Sequence, residues 1–309
     1  MAITAQQVKE LRELTGCGIM DCKKALTETD GNTEKAIDWL REKGMAKAEK
    51  KAGRAAAEGV VCSDIAADGK SGILLEINIE TDFAANTDKF KTFVDTVKNH
   101  IVETKVSDMD ALLATSINGV DVDTFRKSAV GDIGENITIR RFVRYEASAN
   151  GAVASYIHAG GRVGVLVNFS CDNADAVNTD AFKAFAKDIG MQIAASNPSW
   201  VSEAEVPASE IERETEVITN KAIAEGKPEQ IIATRIVPGQ IKNFYKLNCL
   251  LNQEYVKDED MTVAQYIASV GKELGCEIAV EAFTRFGLGE GVEKKADDFA
   301  AEVMAQAGL

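Results

Sequence analysis

The chain has 309 residues, of which 45% are hydrophobic and 27% are charged, and its formal net charge is −14. This size and composition are typical of a globular protein with two or three domains. A nucleic-acid binder needs a basic surface that displaces counterions from phosphates, so the acidic balance disfavours direct nucleic-acid binding, and likewise binding to anionic lipid. No apolar run is long enough to cross a bilayer, and the N-terminus lacks a secretory signal. We therefore expect a cytoplasmic protein with no membrane contact.

The first 44 residues are predicted to form three short helices. Thr4 and Gln7 have the spacing of a capping box at the start of the first helix. Asn32 is placed to cap the third helix, and Gly44 is expected to end it. Residues 46–58 are basic and rich in alanine, which favours a linker.

An internal duplication covers residues 69–101 and 161–193, which align without gaps at an offset of 92 and are identical at 11 of 33 positions. Each copy is predicted to be a β-hairpin followed by an amphipathic helix, with a later strand closing the copy. In the second strand of copy one, alternate residues from Ile73 to Ile79 point to one face, whereas Glu76 and Asn78 point to the other. The pattern predicts an α+β fold.

The second copy carries an insertion within residues 200–262. Its periodicity predicts a helical hairpin at about 203–238, with its turn at residues 226–228. A projection of this kind usually contacts a partner or a second copy of the chain. A homodimer through this hairpin is therefore one interaction that the sequence allows.

The cysteines and histidines do not form a recognisable catalytic or metal-binding set. Of the six cysteines only Cys17 and Cys22 lie close together in sequence, and no histidine is near them. Neither His100 nor His158 belongs to a known nucleophile motif, and no phosphate-binding or dinucleotide-binding loop is present. We therefore predict no catalytic residue, no metal and no cofactor. An enzyme that uses Cys17 or His158 stays open as an alternative.

The loop Thr81-Asp82-Phe83 lies between a predicted strand and a predicted helix. The duplicate has Asn173-Ala174-Asp175 at these positions, so the repeated scaffold does not require an aromatic residue there. A phenylalanine on a connecting loop is a candidate anchor for a partner protein. Periodicity alone is equally compatible with Phe83 packing into its own core.

This loop belongs to the stretch Glu80-Thr81-Asp82-Phe83-Ala84, which closely resembles the elongation factor Ts family. Further matching segments follow one another in order along essentially the whole chain: residues 3–5, 8–12, 15–26, 134–137, 157–158, 161–167, 285–286, 289–291 and 298–303. The resemblance implies a guanine nucleotide exchange factor for elongation factor Tu. Such a factor acts in translation elongation by disturbing the partner's magnesium and phosphate site.

The resemblance also implies a domain organisation that agrees with the pattern above. It consists of a three-helix domain of the ubiquitin-associated (UBA) type, a core of two related subdomains with an inserted helical hairpin, and a C-terminal helical module. The expected bounds are 1–45 for the three-helix domain, 46–58 for the linker, 59–147 and 148–286 for the two core subdomains, and 287–309 for the C-terminal module.

The site residues implied by the resemblance fall into three groups. Thr81, Asp82, Phe83 and Ala84 form the loop whose phenylalanine inserts between two helices of the partner's GTPase domain and dislocates magnesium. Arg12, Ile19 and Met20 form an N-terminal surface that touches the same domain, with Ile19 replacing the more usual methionine. His158 stands at a hairpin tip that faces the partner's other domains. A non-catalytic adaptor or assembly scaffold that uses the UBA-like domain is the alternative.

Overall fold

The structure is a computed structural model that describes residues 3–15 and 17–292, and it contains both helices and sheets. The helices are α1 Ala5–Thr15, α2 Ile19–Glu28, α3 Thr33–Lys51, α4 Asp82–Ala85, α5 Asp88–Thr104, α6 Met109–Leu113, α7 Val122–Ile133, α8 Asp180–Ser196, α9 Ala208–Ala224, α10 Glu229–Ile231, α11 Val237–Asn248 and α12 Val263–Leu274. The strands are β1 Glu58–Ile65, β2 Ser71–Ile79, β3 Ser116–Ile117, β4 Val120–Asp121, β5 Ile137–Glu146, β6 Ala152–His158, β7 Val163–Cys171, β8 Glu254–Tyr255, β9 Asp258–Thr262 and β10 Ile278–Gly287. The predicted C-terminal helical module spans residues 287–309, and its part from residue 293 onward lies outside the described residues.

The chain forms two compact units. So far as the residues are described, unit 1 comprises Met1–Val61, Leu75–Phe142 and Gly287–Leu309, and unit 2 comprises Cys62–Leu74 and Val143–Phe286. The three N-terminal helices therefore share a unit with most of the first core subdomain. Strands β1, β2 and β5 each contribute residues to both units, a division that the sequence pattern did not suggest.

Local capping residues define the N-terminal helices as predicted. The Gln7 side chain accepts a hydrogen bond from the Thr4 amide at 3.0 Å, and the Thr4 hydroxyl accepts one from the Gln7 amide at 3.2 Å. The Asn32 side chain likewise accepts from the Lys35 amide at 2.9 Å. These bonds satisfy amide groups that the first turn of a helix leaves without partners.

The prediction that Gly44 ends the third helix was wrong, because α3 continues to Lys51. Gly44 instead lies where α3 packs against α7, opposite Gly131. A Cβ atom on Gly131 would lie 2.8 Å from the Cα atom of Gly44, so the two backbones touch at this point. The residue that appeared to be a helix stop serves a close contact between two helices.

The duplication predicted from the sequence is present as two similar assemblies. One sheet has the strand order β1-β2-β5, and another has the order β10-β7-β6. In each copy a hairpin leads to one long helix, α5 in the first and α8 in the second, and the third strand comes later in the chain. The inward face of α5 carries the buried residues that the spacing predicted, namely Phe90, Phe93, Val94, Val97 and Ile101.

Strand β2 is covered on both faces, which places a carboxylate in the interior. Glu76 is fully buried. Its carboxylate accepts hydrogen bonds from Arg140 at 2.8 Å, from Arg141 at 2.6 Å and from the Gly289 amide at 2.8 Å. Burial alone would raise the pKa of Glu76, but these three donors outweigh it and hold the pKa below its ordinary value. A buried charge of this kind is tolerated only with such partners.

The insertion is a helical hairpin, as predicted, but its second arm is longer than the sequence indicated. After α9 the chain turns and continues through α10, a π-helical stretch at Ile232–Ile236, and α11 to Asn248, well past the predicted end. Pro238 lacks the N–H that would bond to the carbonyl of Thr234, so an irregular turn is expected at this place. Proline near the start of α11 thus interrupts the helix without ending it.

The contact between Gly44 and Gly131 gives a matched pair of substitutions. Gly131→Ala places a Cβ against the α3 backbone and should lower the free energy of unfolding by about 1–3 kcal/mol. Gly44→Ala meets nothing within 4 Å and should leave that free energy unchanged or raise it by up to about 1 kcal/mol, because alanine favours a helix interior. Urea unfolding followed by circular dichroism measures the free energy of unfolding of both variants. Equal destabilisation by the two substitutions would contradict a close contact at Gly131.

The bonds around Glu76 predict that the free energy of unfolding differs between wild type and Glu76→Gln by an amount that depends on pH. Glu76→Gln removes the charge opposite two arginines and should lower the free energy of unfolding by about 3 kcal/mol at neutral pH. Because the folded-state pKa is depressed, the carboxylate's stabilisation is present above its ordinary pKa of 4.5 and is lost as pH falls through the folded value. The difference in the free energy of unfolding between wild type and variant should therefore shrink as the pH falls below 4.5. The exposed Glu103→Gln is the control, and a pH-independent difference for Glu76→Gln would contradict this account.

Candidate partner-binding site

Phe83 projects from unit 1 into solvent. It lies on α4, a single helical turn between β2 and α5, and 85% of its surface is exposed, the largest fraction among the exposed large hydrophobic residues of the described chain. The alternative in which this ring packs into its own core is therefore wrong. Exposure of so large an apolar side chain is unfavourable in water relative to burial, which makes Phe83 a candidate contact for a partner.

The turn that carries Phe83 is fixed by the carboxylate of Glu135. The Thr81 amide donates to one Glu135 oxygen at 2.9 Å, and the Thr81 hydroxyl donates to the other at 2.7 Å. The same hydroxyl accepts a hydrogen bond from the Ala84 amide at 3.2 Å, which caps the turn. Bonds to an ionised acceptor are stronger than those between neutral groups.

A second carboxylate, that of Glu80, also connects the end of β2 to the start of β5, and here the acceptor is on the β2 side and the donor is on the β5 side. Glu80 accepts a hydrogen bond from the Asn136 amide at 2.6 Å and pairs with Arg54 at 3.3 Å. The Asn136 side chain in turn donates to the Arg54 carbonyl at 2.8 Å. The adjacent residues Glu80 and Thr81 are thus bonded to the adjacent residues Asn136 and Glu135, which ties the end of β2 to the start of β5.

Within the loop, the four predicted residues have different positions. Asp82 and Phe83 are exposed, whereas Ala84 is buried and Thr81 is half-buried. The Ala84 carbonyl accepts a bond from the Thr87 hydroxyl at 2.7 Å, which joins the turn to the start of α5. Thr81 and Ala84 therefore hold the turn, while Asp82 and Phe83 are available to a partner.

The second copy has a 3-10 turn, Ala176–Asn178, at the equivalent place in unit 2, with a different residue at the position of Phe83. There the Thr179 hydroxyl donates to the Ala176 carbonyl at 2.7 Å, equivalent to the bond made by Thr87 in copy one. Asp175 occupies the position of Phe83 and is exposed as well. The residue at this position is exposed in both copies, so the fold does not require an aromatic side chain at position 83.

The predicted N-terminal surface is also exposed and belongs to unit 1. Met20 is 74% exposed and Ile19 is 55% exposed, although both begin a helix whose opposite face is buried. Arg12 is exposed on α1. Arg12 and Ile19 line a groove of about 470 Å³ together with Ile3, Thr4, Ala5, Val8, Lys9 and Lys23. The surface combines apolar side chains with cations on an otherwise acidic chain.

His158 lies in unit 2, at the end of β6, where the hairpin with β7 turns. It pairs with Val163 across the hairpin and is exposed. Its Nδ1 atom lies 3.2 Å from the Tyr156 hydroxyl, and the two rings stack with centroids 6.0 Å apart. The neighbouring tyrosine therefore orients the imidazole while the rest of the ring faces solvent.

Sequence reasoning missed the residues that hold the Phe83 turn. Glu135 and Asn136 were noted for their resemblance to the family, but no role was predicted for them. Their position directly before β5 could have indicated this role, since polar residues at the end of a strand often bond to a neighbouring loop. Their partners, Glu80 and Thr81, lie far away in sequence, so only the fold reveals the pairing.

Comparisons with known proteins identify relatives over the full length of the chain. A family model described as elongation factor Ts matches residues 80–290. A protein named elongation factor Ts from Trichlorobacter lovleyi is 50% identical over 312 residues and covers 100% of both chains. Proteins with the same name from Nitratiruptor sp. and Clostridium botulinum are each 46% identical and cover 99% of both chains. Within the part of the chain that the structure describes, no helix is both long and apolar enough to span a membrane.

The role of Glu135 predicts a graded loosening of the Phe83 turn. Glu135→Ala removes both acceptors of Thr81 and should accelerate amide hydrogen exchange in the segment 80–86 by roughly tenfold or more, because hydrogen bonds to charged groups contribute about 1.5–3 kcal/mol. Glu135→Gln keeps one acceptor oxygen and should give an intermediate rate. Mass spectrometry of the exchanging peptides measures both variants.

The exposed Glu103→Ala on α5 is the matched control, since it removes a carboxylate without touching the turn. Wild-type protection of the segment 80–86 in the Glu135→Ala variant would show that the carboxylate does not hold this turn.

Proposed function

The chain belongs to the elongation factor Ts family and is thus a translation elongation factor, and from this premise we propose that it is the guanine nucleotide exchange factor of elongation factor Tu. The proposed factor binds elongation factor Tu with GDP, disturbs the magnesium and phosphate site, and promotes GDP release so that GTP binds. The exposed Phe83 on a turn held by two carboxylates is the observation that carries this proposal.

An exchange factor of this type needs no catalytic group. P-loop GTPases hold GDP through phosphate contacts and a magnesium ion. A protein that binds better to the distorted GTPase than to the intact one shifts the population toward the distorted form. The coupling is reciprocal, so GDP weakens binding of the factor by as much as the factor weakens binding of GDP. Refilling of the site by GTP then releases the factor.

Phe83 is proposed to insert between two helices of the partner's GTPase domain, with Asp82 at the same contact. A rigid turn favours this action, because little conformational freedom is lost when a preorganised group binds. A flexible loop would fold around the closed GTPase, whereas a fixed projection fits only when the partner's helices move. Thr81 and Ala84 contribute by keeping that projection fixed.

Phe83 alone does not supply enough free energy. Burying one phenylalanine contributes about 1.5–3 kcal/mol. Shifting a two-state equilibrium almost completely requires about 5.5 kcal/mol of differential binding. The remainder is assigned to further contacts: Arg12, Ile19 and Met20 on the GTPase domain, and His158 on the other domains of elongation factor Tu.

The proposed setting is the cytoplasm, where translation elongation takes place. No cofactor and no direct nucleic-acid contact are part of the proposal, in keeping with the net charge of −14. The helical hairpin has exposed apolar residues on α9, among them Val217 and Ile223. Self-association of two chains through this hairpin stays a prediction.

An enzyme that uses Cys17 as a nucleophile is disfavoured by the surroundings of its thiol. Burial, together with a hydrogen bond to Asp132 at 3.1 Å and the charge of that carboxylate, raises the pKa of Cys17 to about 11. A reactive cysteine needs the opposite shift, because the thiolate is the nucleophile. The bond to Asp132 instead joins the α1–α2 connection to α7.

Phe83 variants test the proposal by stopped-flow measurement of fluorescent GDP release from elongation factor Tu. Phe83→Ala should reduce the acceleration at least about tenfold, since the lost burial exceeds about 1.4 kcal/mol. Phe83→Asp reproduces the residue of the second copy, so it should fold normally and abolish the acceleration more completely. Leu113→Ala, which removes another exposed apolar side chain from unit 1, is the matched control and should keep wild-type activity.

Full acceleration by folded Phe83→Asp would contradict the role of the ring. Stable binding of wild-type chain to elongation factor Tu without any change in GDP release would instead favour the adaptor or scaffold.

A further inference from the structure

Two cysteines that are far apart in the sequence meet in unit 2 beside a carboxylate. The ligand atoms of Cys171, Asp172 and Cys276 all lie within 4.8 Å of one another. Cys171 ends β7 and is buried, Cys276 lies between α12 and β10 and is half-buried, and Asp172 is exposed. The sequence predicted no metal site because only Cys17 and Cys22 lie close together among the six cysteines, and no second pair or nearby histidine completes a set.

Two hydrogen bonds, one between backbone groups and one to a side chain, hold together the two segments that carry these groups. The Asp172 amide donates to the Glu277 carbonyl at 3.2 Å, and the Glu277 amide donates to Oδ1 of Asp172 at 2.8 Å. Strands β7 and β10 are also neighbours in one sheet. The thiols are thus held in place by the fold itself, which is the preorganisation that a metal site requires.

The donor set selects a particular kind of cation. Two sulfur ligands and one carboxylate suit zinc and related thiophilic divalent ions, whereas magnesium and calcium prefer oxygen ligands alone. Zinc is normally four-coordinate, and three protein ligands leave one position open.

Neither Cys171 nor Cys276 is in a disulfide. The Cys171 thiol donates to the Asn173 carbonyl at 3.3 Å and accepts from the Asn173 amide at 3.4 Å. On coordination, each S–H proton is replaced by a metal–sulfur bond and released to solvent.

We propose that Cys171, Asp172 and Cys276 form a binding site for a thiophilic divalent cation of the zinc type. The ion joins the end of β7 to the start of β10 and thereby stabilises unit 2. The site lies in a different unit from Phe83 and is independent of the proposed nucleotide exchange.

Cobalt is the probe, because its thiolate complexes absorb visible and near-ultraviolet light, a range in which those of zinc are transparent. Full-length chain, reduced and stripped with a chelator, is titrated with Co²⁺ and then with Zn²⁺. We expect one Co²⁺ per chain, a thiolate-to-cobalt charge-transfer band, tetrahedral d–d bands, and displacement by Zn²⁺ with release of two protons. Zinc should also raise the temperature of unfolding.

Variants identify the ligands. Cys276→Ser and Asp172→Asn should each weaken Co²⁺ binding at least about tenfold, and Asp172→Asn keeps an oxygen that accepts from the Glu277 amide. Cys62→Ser, which removes another half-buried thiol of unit 2, should bind like wild type. Circular dichroism confirms that each variant is folded.

Three results would overturn the proposal. These are the absence of a charge-transfer band in the reduced chain, a band that persists in folded Cys276→Ser, and a chain that binds no metal and only forms a Cys171–Cys276 disulfide on oxidation.

Discussion

The bond between the Glu135 carboxylate and Thr81 is the interaction on which the proposed function depends. Holding Phe83 in water is unfavourable by about 1.5–3 kcal/mol relative to burial, so an unrestrained turn would be expected to fold the ring back. The bonds from Thr81 to Glu135 and from Asn136 to Glu80 restrain the turn against this change. An apolar side chain that the fold keeps exposed is available to a partner at little conformational cost.

The internal duplication explains how such a projection arises without loss of stability. Both copies have a short helical turn between the strand and the long helix, α-helical at Asp82–Ala85 in copy one and 3-10 at Ala176–Asn178 in copy two. A threonine hydroxyl closes each turn, Thr87 in one and Thr179 in the other. Because the residue at the position of Phe83 faces solvent in both, it can change without disturbing the core. One copy has Asp175 at this position, which is well solvated, and the other has Phe83, for which a partner contact is proposed. The family model described as elongation factor Ts covers residues 80–290, which include this turn.

Interactions close in sequence were predictable, and those that join distant segments were not. The capping bonds of Thr4 and Asn32 and the buried face of α5 follow from spacing alone. Gly44 was misjudged because a glycine that ends a helix and one that admits a neighbouring helix look the same in sequence. Glu76 was assigned to the correct face, but its burial depends on Arg140, Arg141 and Gly289, which lie far along the chain. The exposure of Phe83 likewise depends on Glu135, so periodicity could not decide it.

The most direct test of the account is the affinity of the chain for elongation factor Tu in two states, with GDP and magnesium bound and without nucleotide. The account predicts at least about tenfold tighter binding to the nucleotide-free state, and a ratio that falls several-fold in Phe83→Ala, mainly through weaker binding to that state. A folded Phe83→Ala chain with the wild-type ratio would contradict the claim that the fixed ring distinguishes the two states. Isothermal titration calorimetry of both chains provides the measurement.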